Sequence, residues 1–336
     1  MATTTLTAGQ PPRLATARGG GPHPWRAFLL RRFGQFLLSA FILLTAVFAL
    51  AHAMPGDPVR AALGSKAPPE VVTADRHRLG LDKSLWEQYG HYLHGLVTGN
   101  LGDSLITGLP VRTLMTRVMP ATIELAVAAF VLAVLVAIPV GMLTGIATRD
   151  GRARPAHVAF AAVTGILSSI PEFLLAAGLV FVFAVSFKAL PVAGRTDLSS
   201  YILPVISLAA GPAALLARIV RVETQRVLGE EYMRTARSKR LPGRLLYTRH
   251  ALPNLLTAAL TVSGLALSSL LAGTVLVETV FAWPGAGSQL VQSVLAKDFP
   301  VVQAMGLFFG CAVLLVNLAV DVVIAVVDPR SVIKES

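Results

Sequence analysis

Long apolar runs alternate with short polar segments along the chain. Each run is long enough for a helix that crosses a bilayer core, which takes about 20 residues. The runs lie at 33–53, 121–147, 158–187, 201–222, 255–280 and 302–327. Pro171 lies inside the third run and predicts a break in its helix. The pattern therefore predicts an all-α polytopic membrane protein with six transmembrane helices.

Composition and charge agree with a membrane protein. Charged residues make up 14% of the 336 residues and hydrophobic residues 54%, whereas soluble domains carry about 25% charged residues. The net charge of +11 does not indicate a nucleic-acid partner. Most Lys and Arg residues lie in segments between the apolar runs, in the distribution that the positive-inside bias and anionic lipids produce. That distribution places both termini in the cytoplasm.

The spans and the charge bias divide the chain into segments. We expect a disordered cytoplasmic tail at 1–32, an extracytoplasmic segment at 54–119, a five-helix core at 120–327 and a cytoplasmic tail at 328–336. Apolar residues from Leu85 to Leu96 recur at helical spacing, which predicts a short amphipathic helix on the membrane face or on neighbouring spans. Cys311 is the only cysteine in the sequence. It excludes an intramolecular disulfide and a Cys-based metal site, and we predict no metal site.

Acidic residues within or near the apolar runs are candidates for function, because a charge inside a membrane usually faces a cavity or a partner. Glu124 and Glu278 lie near predicted outer ends, where solvation would satisfy them. Asp321 is expected to pair with Arg218 or Arg221, or to respond to a moving gate. The candidate pathway or gate residues are Glu172, Glu278 and Asp321.

The basic segment from Gly229 to Pro253, within a predicted cytoplasmic loop at 223–254, lies between the fourth and fifth runs. It predicts two short helices, Glu230–Leu241 and Arg244–Ala251, separated by Pro242-Gly243, with Pro253 beginning the return to the membrane. The first helix would carry a small apolar stripe on a charged surface, formed by Tyr232, Met233 and Ala236. We interpret the segment as a docking element for a soluble partner.

This segment resembles the EAA loop of the permease subunits of binding-protein-dependent ABC importers. Arg234-Thr235-Ala236 stands for E-A-A, Arg240 for the usual glycine, His250 for the isoleucine, and Leu252-Pro253 closes the motif. The sequences YMRTARSKRL and RHALPN are similar to the first (B-type) permease of the dipeptide, oligopeptide and nickel branch. The resemblance covers most of the chain, with further matches at Pro55-Gly56-Asp57-Pro58, Leu79-Gly80-Leu81-Asp82, Gly99–Ser104, Ala121–Leu125, Pro171-Glu172-Phe173, Glu278–Gly285 and Asp328-Pro329-Arg330.

The resemblance implies a type I (MetI-like) permease fold in the bacterial cytoplasmic membrane. It implies a second homologous permease, two cytoplasmic ABC ATPase subunits and an extracytoplasmic substrate-binding protein as partners. ATP and Mg would be bound by the ATPases, since this chain has no GxxxxGK[ST] sequence, and the chain itself would bind no cofactor and catalyse no reaction. The implied ATPase-coupling residues are Tyr232, Met233, Arg234, Thr235, Ala236, Arg237, Lys239, Arg240, Leu241, His250, Leu252 and Pro253.

The resemblance also implies a cargo and a test. Di- or oligopeptides are the expected cargo, and nickel or another small cargo such as glutathione is the alternative. A channel or secondary transporter, which would run without ATPases, is the alternative from another class. If the docking role is right, Ala236→Arg should leave the protein in the membrane and uncouple ATP hydrolysis from uptake.

One residue departs from the family pattern. Arg240 replaces a glycine that takes a left-handed backbone conformation, which costs other residues about 1 kcal/mol or more. Either Pro242-Gly243 makes the turn instead, or the ATPase supplies an acidic partner for Arg240.

Overall fold

The computed structural model describes residues 24–64, 66–151 and 153–327. Within these ranges the chain is mostly α-helical and has no named strand, as the sequence predicts. The long helices are α1 (Pro24–Ala53), α5 (Val111–Ala147), α8 (Ile202–Gly229), α11 (Leu252–Val280) and α13 (Phe299–Val327). The shorter helices are α2 (Pro58–Leu63), α3 (Pro69–Arg78), α4 (Leu85–Thr98), α6 (Arg154–Ser169), α7 (Glu172–Leu179), α9 (Glu231–Ser238), α10 (Gly243–Leu245) and α12 (Ala286–Ala296).

Several of these helices are suited to crossing a membrane. Within the described ranges, four are long and apolar enough: Leu30–Ala53, Val111–Ala147, Leu198–Gly229 and Phe299–Ile324. The α6–α7 pair would be a fifth span, bent by 100° at the break that Pro171 predicts. Helix α11 has 29 residues, of which Ala266–Val280 form a shorter apolar stretch. The count of six spans therefore stays a prediction at α11.

Helix boundaries differ from the sequence expectations where helices extend beyond their apolar parts. Helix α1 begins at Pro24, so the last part of the predicted tail 1–32 is helical, whereas residues 1–23 and the tail 328–336 lie outside the described residues. Helix α5 begins at Val111, inside the segment 54–119 that was predicted to be outside the span. The predicted amphipathic helix is confirmed as α4, and α12 was not predicted.

Helices α5 and α8 pack parallel to each other along a face of small residues. Seven of the ten buried positions of α5 recur every four residues, and all of these but Leu125 are small: Ala121, Leu125, Ala129, Ala133, Ala137, Gly141 and Gly145. A Cβ at Gly141 would lie 2.5 Å from the carbonyl oxygen of Ala217, and one at Gly145 would lie 2.8 Å from Cβ of Thr224. Small residues let two backbones approach closely in a membrane protein, which explains the spacing.

Helices α1 and α13 form a second pair, which runs antiparallel. Val47 lies against Gly306 and Leu43 against Gly310, so residue numbers fall along α1 as they rise along α13. The carboxylate of Asp321 on α13 lies 3.2 Å from the guanidinium of Arg32, near the start of α1.

The helix directions define two ends of the molecule. The basic end carries the α5–α6 connection and the segment from α9 to the start of α11, because Ile146 of α5 packs against the buried apolar residues around Met233 and Arg221 reaches Thr148. The cap end carries α2, α3, α4 and α12. There the Asp298 carboxylate, which is buried, accepts hydrogen bonds from the Ser104 hydroxyl at 2.5 Å and the Leu105 amide at 3.1 Å.

Candidate coupling segment and buried polar sites

Helix α9 is held to the basic end by its own apolar residues. Met233 is fully buried and Ala236 is 7% exposed. They belong to a cluster with the end of α8 and the start of the return helix, which we call the α9 cluster: Val227, Leu228, Met233, Ala236, Leu246 and Ala251. The predicted stripe is thus mostly turned inward, and only Tyr232 remains 42% exposed. The cluster fixes α9 relative to α8.

Arg237 reinforces the same junction. Its side chain donates to the backbone carbonyl oxygens of Met233, at 3.2 Å, and of Leu228. Leu228 lies in the last turn of α8, where carbonyl groups lack partners within the helix. Arg237 therefore serves the fold of the segment, although the family resemblance suggested a contact with the ATPase.

The turn after α9 is made at Arg240. Its φ is +53°, in the left-handed region, whereas neither Pro242 nor Gly243 has a positive φ. The amide of Arg240 donates to the carbonyl of Arg237 at 2.9 Å, as at a helix end that glycine usually closes. Of the two alternatives, the first is wrong: Arg240 itself takes the glycine conformation. Its side chain is exposed.

The return to the bundle is continuous and does not begin at Pro253. The chain runs from α10 through a π-helical turn, Leu246–Ala251, directly into α11. Pro253 follows directly on the π-helical turn, at the second position of α11, and as a proline it donates no amide hydrogen bond to that turn. Leu241, His250 and Leu252 are half-buried in this stretch. The two predicted helices are present, but the first ends at Ser238 and the second is part of a longer helix.

A basic surface remains exposed on this segment. The exposed members of the predicted coupling set are Tyr232, Arg234, Thr235, Lys239, Arg240 and Pro253. Arg244 and Arg249 are exposed nearby. We call the exposed side chains of Tyr232, Arg234, Thr235, Lys239 and Arg240 the α9 face; it is available to a partner that approaches from the basic end.

Glu278 is buried at the cap end, where its carboxylate accepts hydrogen bonds from neighbouring helices. The expectation that it lies at the interface and is solvated is therefore wrong. Glu278 is 0% exposed. Its Oε1 accepts from the Thr122 hydroxyl at 2.6 Å, and Oε2 accepts from the amides of Gly287 and Ser288 at 2.7 and 3.0 Å. The amide of Ala286 donates to Thr122 Oγ1 at 2.7 Å. The first three amides of α12, which have no partner in their own helix, are thus satisfied by α5 and α11.

Two glycines make room for this arrangement. A Cβ at Gly285 would lie 2.4 Å from the Glu278 carboxyl carbon, and a Cβ at Gly287 would lie 2.5 Å from Cα of Val275. Trp283 closes the site by donating from Nε1 to the Ala121 carbonyl at 3.1 Å. The sequence analysis did not identify Thr122 or the two glycines as parts of the Glu278 site. The Glu278–Gly285 motif and the helix start that follows it were the features of the sequence that pointed to them.

Glu124 is exposed and partnered on the same end. The Arg195 guanidinium lies 2.5 Å from its carboxylate, and the Tyr201 hydroxyl donates to the same oxygen at 2.8 Å. The hydrogen bond to Tyr201, together with the charge of Glu124, raises the pKa of Arg195. Tyr201 packs edge-on against Trp283 at 4.7 Å, which joins this surface network to the Glu278 site.

Asp321 pairs with Arg32, so the prediction of Arg218 or Arg221 as its partner is wrong. Arg218 donates instead to Ser168 and Arg221 to Thr148. Asp321 meets Arg32 because α13 packs against α1. The positions of the charged residues on α8 do not predict this packing.

Glu172 begins α7 directly after the bend, where a carboxylate suits the helix N-terminus. It lies beside α11, since a Cβ at Gly273 would be 3.4 Å from its carboxyl group. It is only half-buried. A pathway or gate role for Glu172, Glu278 and Asp321 stays a prediction.

The helical bundle, with four helices of membrane-crossing length and composition among the described residues, defines a polytopic membrane protein. Residues 137–332 match the family described as binding-protein-dependent transport system inner membrane component, and residues 26–126 match the N-terminal family of the same components. The chain belongs to this family and is a permease of an ABC importer.

Relatives and a solved structure agree with that assignment. The chain is 38% identical over 305 residues to the glutathione transport system permease protein GsiC of Escherichia coli O6:H1, covering 90% of this chain and 97% of the relative. It is 37% identical to the probable D,D-dipeptide transport system permease protein DdpB of Escherichia coli K12, covering 91% and 97%. A chain of the MetNI methionine ABC transporter, solved in an inward-facing conformation, shares the fold with a TM-score of 0.54 at 17% identity, over 65% of this chain and 97% of that chain. The predicted MetI-like fold is confirmed.

Proposed function

We propose that this permease moves short peptides into the cytoplasm and is driven by ATPase subunits that dock on the α9 face. The observation that carries the docking role is the division of α9 into two sides. Met233 and Ala236 anchor it on the ends of α8 and α11, whereas Arg234, Lys239 and Arg240 are left exposed. A partner gripping the exposed side would move the bundle through the buried side.

The charge of the α9 face suggests the surface that would receive it. The face carries three cations, Arg234, Lys239 and Arg240. Arg240 has a left-handed backbone conformation, and its side chain is exposed. A complementary acidic groove on each ATPase would steer docking and fix its register. The second permease would have its own coupling loop, and the two permeases would enclose the transport path.

Orientation follows from the same charges. The α9 segment and the α5–α6 connection are both rich in Lys and Arg and lie at the basic end. The positive-inside bias supports a cytoplasmic position for this end. The cap end, with α2, α3, α4 and α12, would then face the external binding protein, and both chain termini would be cytoplasmic.

Docking is tested by reversing one exposed charge. Arg234→Glu should leave the amount of protein in the membrane unchanged but abolish substrate-stimulated ATP hydrolysis and uptake in the reconstituted complex. Arg154→Glu is the matched control, since Arg154 is exposed at the same end of the molecule but lies outside the α9 face. Wild-type uptake by Arg234→Glu would contradict the docking role. Ala236→Arg is a poor test because it would disrupt the α9 cluster.

The peptide cargo rests on the relatives, which are named as glutathione and D,D-dipeptide permeases. Glutathione is itself a short peptide, so one cargo class accounts for both names. The test is thermal stabilisation of the cognate binding protein by dipeptides, oligopeptides and glutathione, with nickel as the comparison. A shift with nickel and none with any peptide would overturn the cargo assignment.

A further inference from the structure

Helix α4 carries an apolar stripe that the rest of the described chain leaves uncovered. Trp86 is 84% exposed and Val97 is 87% exposed. Leu93, which is half-buried, lies between them on the same side, because positions seven and eleven residues apart fall on one face of a helix. We call Trp86, Leu93 and Val97 the α4 stripe. Large apolar side chains that line up on a surface indicate an interaction.

The α1–α13 pair gives the depth at which α4 lies. The Arg32–Asp321 ion pair marks one end of this pair, and the ring of His52, 6.1 Å from that of Phe299, marks the other. From Arg32 to His52 the helix rises about 30 Å, which is the thickness of a bilayer core. The Tyr89 hydroxyl lies 2.8 Å from the Thr45 hydroxyl, about 10 Å below His52 along α1. Helix α4 thus inserts Tyr89 into the depth range of the apolar core.

The remaining faces of α4 agree with a position at this boundary. Tyr89 and Tyr92 pack on Phe48 of α1, with ring centroids 5.1 and 5.6 Å away. On another side, His91 and Thr98 line a wide cleft of about 880 Å³ among the cap helices. The helix contains no Lys or Arg. One face of α4 therefore contacts protein and another lines the cleft. Helix α1, on which α4 packs, also exposes large apolar side chains, Leu38, Phe41 and Ile42.

We propose that α4 is an in-plane helix in the outer membrane–water interface, with the α4 stripe in contact with lipid. An amphipathic helix in this setting buries its apolar face about 5–10 Å into the boundary, and tryptophan is enriched there. The helix would hold the cap at a fixed height on the membrane, and hence hold the cleft toward the external side. The proposal is independent of the α9 docking role, apart from the choice of leaflet.

Site-specific spin labels test the proposal in the complex reconstituted in phosphatidylcholine nanodiscs. Trp86→Cys and Val97→Cys, each in a Cys311→Ala background, should show a several-fold higher ratio of oxygen to nickel-chelate accessibility than His91→Cys. His91 is the matched control because it lies on the cleft side of the same helix. The Cys311→Ala protein without an added cysteine corrects for labelling of companion subunits.

Each other outcome contradicts lipid contact. A ratio equal to that of His91→Cys would place the stripe in water, and low accessibility to both reagents would place it under another protein. Brominated phosphatidylcholine provides a check with minimal substitution: it should quench more of the fluorescence in the native protein than in Trp86→Phe. Equal quenching would overturn the proposal even if the labelled variants were unstable.

Discussion

Replacing Thr122 with valine tests whether the Glu278 site holds the cap end together. Valine keeps the shape of threonine but removes the hydroxyl, which donates to Glu278 at 2.6 Å and accepts from the Ala286 amide at 2.7 Å. Both partners are buried. The change therefore leaves one carboxylate oxygen without its side-chain donor and one helix amide without an acceptor.

The expected loss follows from these two groups. A buried amide left without an acceptor costs about 1–3 kcal/mol, and a hydrogen bond to a charged group contributes about 1.5–3 kcal/mol. Together they predict destabilisation of about 2.5–6 kcal/mol. Since about 1 kcal/mol shifts the melting temperature of a large domain by about 2–4 °C, Thr122→Val should melt on the order of 5–24 °C lower.

Thr122→Ser is the matched control because it keeps the hydroxyl and loses only a methyl group. Thermal unfolding of the purified variants in one detergent, followed by intrinsic fluorescence and by aggregation, measures both. We expect the serine variant to melt close to the native protein and the valine variant well below it. Equal melting temperatures for Ser and Val would refute the claim that this hydroxyl joins α5, α11 and α12.

Three further predictions follow from the packing. Arg240→Gly should relieve about 1 kcal/mol of left-handed strain, so amide exchange in α9 should slow about fivefold, whereas Arg240→Lys should leave it unchanged. Gly141→Ala should destabilise the fold by about 1–3 kcal/mol through overpacking of α5 on α8, whereas Gly165→Ala, where a Cβ meets open space, should not; similar melting temperatures would contradict the close approach. Asp321→Asn and Arg32→Gln should combine less than additively in a thermal double-mutant cycle, with a coupling of about 1 kcal/mol or less, and strict additivity would argue against the ion pair.

Hydrophobic patterning located the spans well and the helix starts less well. The predicted ends at Ala147 and Val280 are the ends of α5 and α11. Helix α5 nevertheless starts at Val111, because its first turns contain Arg112 and Arg117 and extend beyond the apolar run. Apolar runs report the part of a helix that lies in lipid, whereas the hydrogen-bonded helix continues for as long as its backbone allows.

Side-chain partners were harder to predict than helices. Asp321 was expected to pair with Arg218 or Arg221, but it pairs with Arg32, which is almost the whole chain away in sequence. The same limit applies to Glu278, whose partners come from two other helices, α5 and α12. Periodicity shows which face of a helix is apolar, but it does not show which other helix covers that face. The covering helix is determined by side-chain packing. For α13, small residues such as Gly306 and Gly310 allow α1 to pack closely.

The strain at Arg240 bears on the coupling role proposed for this segment. A non-glycine residue keeps a left-handed conformation only when the surrounding structure over-determines it. Here the surroundings are the α9 cluster, the Arg237 bonds to the end of α8 and the uninterrupted helix into α11. A segment held on both sides in this way would move as a rigid unit and would not bend locally under an applied force. A force applied to the α9 face would therefore reach α8 and α11 together, and through Ile146 it would also reach α5.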